Sequence, residues 1–129
     1  MTESQAGNHT LLLVEDDKLV QNVAIRVLER AGYSVEHASS LGEAKGHIVG
    51  GFVPDLLITD VMLPDGNGRE LADAVAGSAP VVPVLFVSGY PDDMISEFGL
   101  DGPSITFLQK PFTPAELRET VADLLESNR

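Results

Sequence analysis

Short runs of Val, Ile and Leu recur along the chain at residues 11–14, 34–38, 56–59, 81–87 and 105–108, and each has the length and β-branched character of a strand. Between them lie segments with helical spacing. The clearest covers residues 18–31, where Leu19, Val20, Val23, Ala24, Val27 and Leu28 fall on one predicted face and Gly32 provides a stop. Ser40-Leu41-Gly42-Glu43 has the order of a capping box, and Asn67-Gly68-Arg69-Glu70 repeats it more loosely. Gly50-Gly51 and Gly77 then bracket two further helices. A last helix opens at Thr113-Pro114-Ala115-Glu116, with Leu117, Val121, Leu124 and Leu125 as its apolar stripe. Met94, Ile95 and Phe98 predict a short helix within residues 91–103, limited by Gly99, Gly102 and Pro103.

Strand and helix therefore alternate five times. Strands as continuously apolar as Leu56-Leu57-Ile58 and Val84-Leu85-Phe86-Val87 suit a parallel sheet covered on both faces. In such sheets ligands bind outside the carboxyl ends of the strands, near the point where strand order reverses. The 129 residues, 43% of them hydrophobic, suit one domain with one core. Residues 1–9 are polar, without a basic start or an apolar stretch, and read as a loose tail before a domain spanning 10–127. No apolar run approaches the roughly 18 residues that span a bilayer. With no cysteine for disulfides, the cytoplasm is the expected compartment. Eight Lys and Arg against twenty Asp and Glu give a net charge of −12, which repels nucleic acid and anionic lipid and leaves proteins as the expected partners.

The strand ends carry the chemistry. The first strand runs into Glu15-Asp16-Asp17 and the third ends in Asp60, so the sheet gathers several carboxylates at one edge. At about 4 Å and an effective dielectric of about 20, each like-charged pair costs on the order of 4 kcal/mol, so cations are expected there. Oxygen ligands with room for water suit Mg²⁺. Asp17 fits a helix cap equally well. The fifth strand leads into Gln109-Lys110-Pro111, which brings an ammonium group suited to a phosphate to the same edge. The fourth ends in Ser88-Gly89, a hydroxyl donor beside a residue with no side chain. After Asp60 the chain turns through Val61-Met62-Leu63-Pro64-Asp65-Gly66, which lets the Met62 carbonyl point back toward a metal. Asp60 is thus the expected nucleophile of a phosphoryl transfer that needs a metal and a cation more than acid–base machinery.

In order, "LLLVEDD", "DLLITDVMLPDGNG", "VLFVSGY" and "FLQKPFTPAEL" resemble the receiver domain of bacterial response regulators, from Thr10 to Ser127. The resemblance implies a flavodoxin-like (βα)5 fold with a five-stranded parallel sheet of order 2-1-3-4-5. It implies that Asp60 is the phosphoacceptor, that Asp16 binds Mg²⁺ directly with Glu15 acting through water, and that the Met62 carbonyl completes the protein's ligands. It assigns Lys110 to a phosphoryl oxygen, with a cis bond to Pro111, and it makes Ser88 and Phe107 the switch pair. Glu15 stands where aspartate is commoner, Ser88 stands for threonine, and Phe107 lacks the hydroxyl of the more familiar tyrosine. "SGYPDD" and "LQKPF" are similar to receivers of hybrid histidine kinases.

The implied partners are a histidine kinase or histidine phosphotransfer protein as donor and a downstream protein as target. The phosphoryl charge is expected to bias an equilibrium toward an active face formed by the fourth helix, fifth strand and fifth helix. The chain reaches Arg129 directly after its last helix, so the signal is expected to pass by protein contact. On this reading the protein is a signalling phosphoacceptor and not an enzyme acting on other substrates. Met62 and Tyr90, two residues beyond Asp60 and Ser88, are poorly suited to orient water, so slow hydrolysis is expected. Two rivals fit less well. A haloacid-dehalogenase-type phosphatase wants a second acid two residues after its nucleophile, where Met62 stands. A flavodoxin-type cofactor binder wants a phosphate-cradling loop where Glu15-Asp16-Asp17 stands.

Overall fold

The computed structural model describes residues 9–78, 82–89 and 105–127. Five parallel strands, β1 (Thr10–Val14), β2 (Ser34–Ala38), β3 (Leu56–Asp60), β4 (Val84–Ser88) and β5 (Ile105–Gln109), form one sheet in the order β2-β1-β3-β4-β5. The helices are α1 (Lys18–Arg30), α2 (Leu41–Val49), α3 (Gly68–Ser78) and α4 (Pro114–Ser127). A short antiparallel ladder, Met62–Leu63 against Gly66–Asn67, closes the turn after β3. The flavodoxin-like fold and its strand order are as the sequence implied. The helix expected within 91–103 lies outside the described residues. Among those residues no helix is long and apolar enough to cross a membrane.

The period-2 alternation of strand side chains divides the core between two faces. Leu11, Leu13, Leu56, Ile58, Leu85 and Val87 pack on one side with Ala24 and Leu28 of α1 and with Leu117, Val121 and Leu125 of α4. On the other side Leu12, Val14 and Leu57 meet Leu41, Ala44 and Ile48 of α2 and Leu71 and Val75 of α3. Each fully buried Leu or Ile contributes roughly 1.5–3 kcal/mol of transfer free energy, so both layers of helices are held by the same central strands.

Local signals set the helix ends. Asp17 caps α1, accepting from the amides of Leu19 at 2.9 Å and Val20 at 3.3 Å. Ser40 accepts from the Glu43 amide, and the Glu43 carboxylate reaches back to the Ser39 amide. Asn67 caps α3 through the Glu70 amide. Thr113 and Glu116 exchange two bonds in a full capping box. Gly32, at φ 101°, ends α1 with its amide donating to Glu29 and that of Tyr33 to Leu28, a left-handed stop that favours glycine.

Two expectations are corrected. The buried face of α1 is centred on Gln21, Ala24 and Leu28, while Leu19 is 74% exposed and Val23 46% exposed. Position 21 sits in the core because its amide group is satisfied there by main-chain carbonyls. Gly77 does not stop α3, which continues to Ser78.

Candidate functional site

Parallel register brings the strand ends together. Val14 pairs with Thr59, Asp60 with Val87, and Ser88 with Gln109. Glu15 and Asp16 therefore leave the sheet beside Asp60, with Ser88 on the other side of β3 and Lys110 one strand further. β1 lies between β2 and β3, so the cluster stands at the point where the strand order reverses.

Glu15, Asp16 and Asp60 each bring a carboxylate oxygen to within 4.8 Å of the others. Lys110 Nζ lies 2.9 Å from Asp60 Oδ1 and 2.9 Å from Glu15 Oε1. The Lys110 amide donates to the Ser88 carbonyl at 2.8 Å, which ties the ends of β4 and β5 to each other. The Lys110–Pro111 bond is cis. Asp16, Asp60, Met62, Ser88 and Lys110 line a small open cleft, with Glu15 and Asp60 buried and Asp16 exposed at its rim. Phe107 is half-buried and faces its cross-strand neighbour Phe86, ring centroids 5.7 Å apart.

Electrostatics follow from this crowding. Burial, with the neighbouring Glu15 adding to it and Lys110 opposing it, pushes the Asp60 carboxyl up to about 8. Burial disfavours the Lys110 ammonium, but its bonds to Asp60 and Glu15 outweigh that and raise its pKa. The residues fit a hard divalent cation. Three carboxylates face one ammonium, and Asp60 Oδ2 is buried without a hydrogen-bond partner among the described residues.

Three further residues hold the site in shape. Gln21 is 1% exposed, and its Nε2 donates to the carbonyls of Glu15 at 3.0 Å and Ala38 at 3.2 Å, fixing the turn that presents Glu15. Its signal was spacing alone, a polar residue three and seven positions before Ala24 and Leu28. Asp65 accepts from the amides of Leu41 at 2.8 Å and Gly42 at 2.9 Å, which lowers its pKa and ties the loop after Asp60 to the start of α2. A Cβ on Gly68 would meet the Asp60 carbonyl oxygen, so this position accepts no side chain without movement of the acidic strand end. Tyr90 lies outside the described residues.

Known proteins are similar to this chain in sequence and fold. The family model described as "Response regulator receiver domain" matches residues 11–122. The sensor kinase CckA of Brucella abortus is 35% identical over 123 residues, 94% of this chain and 13% of that protein. The transcriptional regulatory protein CssR of Bacillus subtilis is 32% identical over 92% of this chain and 52% of its own length. The chain thus spans about half or less of the length of these relatives. A receiver protein structure from Sinorhizobium medicae superposes with a TM-score of 0.85 at 27% identity, covering 94% of this chain and 97% of the other. The receiver domain of the hybrid histidine kinase CckA gives 0.72 at 33% identity, covering 90% and 98%. Sheet order, the gathered strand ends and a match across nearly all of the sequence agree, and the chain belongs to the response regulator receiver domain family of two-component signalling.

Proposed function

We propose that this domain accepts a phosphoryl group on Asp60 from the phosphohistidine of a histidine kinase or histidine phosphotransfer protein and passes the signal on by protein contact. The observation that carries the reading is the state of the Asp60 carboxylate. One oxygen is held by Lys110, while the other is buried and without a hydrogen-bond partner among the described residues, beside two further acids. In the transfer an Asp60 oxygen forms the new O–P bond as the histidine N–P bond breaks, and the imidazole nitrogen keeps the electron pair. Lys110 holds charge on the phosphoryl oxygens.

Asp16, Asp60 and the Met62 carbonyl would hold Mg²⁺, with Glu15 acting through water. Bound there, the ion neutralises the anionic oxygens that the acidic cluster would otherwise repel. Ser88 turns to the phosphoryl group, Phe107 repacks against Phe86, and an equilibrium between two surfaces shifts. The receiver unit runs over residues 10–127 with 1–9 as a tail, and its setting is the cytoplasm. The net charge of −12 favours a protein target over nucleic acid. Labelling with acetyl phosphate in the presence of Mg²⁺ tests the assignment. Asp60→Asn is expected to abolish incorporation and EDTA to suppress it; undiminished labelling of Asp60→Asn rejects the reading.

A further inference from the structure

Away from the acidic edge, α1 and α4 enclose a cleft of about 440 Å³ whose rim carries Arg26, Arg30 and Arg118. These are three of only eight basic residues in a chain with twenty acids. None of the three has an ion-pair or hydrogen-bond partner among the described residues, although Lys45, Arg69 and Lys110 all do. Arg26 and Arg30 are also spaced i, i+4 on one helix, where like charges disfavour the helix by a few tenths of a kcal/mol, roughly. Arg30 lies in the last turn of α1, where the helix terminus favours a cation, but Arg26 and Arg118 line the same cleft without that support.

The cleft wall between the guanidinium groups is apolar. Val23, Val27 and Pro114 line it, and Val23 remains 46% exposed. The volume lies within the roughly 300–1,000 Å³ of small-molecule sites. Guanidinium forks bind phosphate oxygens in pairs and also stack on planar rings. We infer that the α1–α4 cleft binds a nucleoside polyphosphate, its phosphates on Arg26, Arg30 and Arg118 and its base against the wall formed by Val23, Val27 and Pro114. The cleft is built from α1 and α4 and the acidic pocket from strand ends, so the two share no lining residue.

The test is an amide-resolved NMR titration of the full chain with ATP in EDTA, which keeps metal out of the acidic pocket. Inorganic triphosphate and a glutamate-rich peptide serve as comparison probes. Saturable shifts in residues 23–31 and 115–118 are expected, with affinity weakened about tenfold or more in Arg26→Ala/Arg118→Ala. Both side chains are exposed, and unchanged spectra elsewhere will establish that the variant is folded. Failure to saturate at millimolar ATP, or equal shifts in the variant, overturns the inference. So does triphosphate binding as tightly as ATP, because the apolar wall would then have no role. Tighter binding of the peptide would make the surface a protein contact instead and would equally reject it.

Discussion

Lys110 Nζ stands 2.9 Å from Asp60 Oδ1 and at the same distance from Glu15, so one side chain holds two buried acids together. Lys110→Met keeps much of the aliphatic stem and removes the charge. Labelling of Asp60 by acetyl phosphate is expected to slow by about 10²-fold or more. Metal-free stability near neutral pH should fall by about 1–3 kcal/mol, read from urea unfolding, because two acids lose their shared donor.

The raised Asp60 pKa gives the metal-free protein a signed pH dependence. Because the folded carboxyl titrates at about 8 instead of its ordinary 3.8, the native state holds a proton that the unfolded chain releases. This contribution is intact below about pH 4 and lost as pH rises through about 8. Urea midpoints in EDTA should therefore fall across that window relative to Asp60→Asn, and Mg²⁺ should flatten the difference. Asp65 acts in the opposite sense. Its pKa is lowered, so its contribution is present above its ordinary value and lost as pH falls through the folded one.

Gln21→Leu fills the same core position without the two bonds to the Glu15 and Ala38 carbonyls. A loss of about 1–3 kcal/mol is expected as the Glu15 carbonyl loses its donor, while the Ala38 carbonyl keeps the Glu15 amide. If the amide group also positions Glu15, Mg²⁺ binding followed by NMR should weaken in Gln21→Leu more than in an equally destabilising core variant such as Leu28→Ala.

Gly68→Ala directs a methyl group at the Asp60 carbonyl. The strand end must shift, with an expected loss of about 1–3 kcal/mol in urea unfolding and slower labelling of Asp60.

Met62 is 45% exposed on the cleft that contains Asp60. A polar side chain there would present a hydrogen-bonding group to attacking water. Met62→Asn is expected to shorten the lifetime of phosphorylated Asp60 several-fold, followed by loss of label after the donor is removed; an unchanged lifetime counts against a role for this position.

Much of the fold was legible because apolar runs and caps are local. Ser40 with Glu43 and Thr113 with Glu116 read as capping boxes; the second closes as one, while in the first Glu43 reaches one residue further back, to the Ser39 amide. The charged residues of the site were legible because they follow strands whose ends a parallel sheet must align. What sequence could not supply was compensation at a distance. Gln21 lies on a face where Leu19 and Val23 offered more hydrophobic surface, and only carbonyls from two separate segments explain its burial. Asp65 read as part of a turn, since its partners lie more than twenty residues earlier in α2. Gly77 resembled a stop, but it lies within helix α3.

The division of the core between odd and even strand positions also protects the chemistry. A slip of β3 by a single residue would hand Leu57 to the α1–α4 side, turn Leu56 and Ile58 toward α2 and α3, and carry the Asp60 carboxylate away from Lys110. Mispairing would thus forfeit two hydrophobic layers before it could misplace one nucleophile. The geometry of phosphate acceptance inherits its fidelity from oil-like packing, and mutations that spare that alternation leave the acidic corner in register.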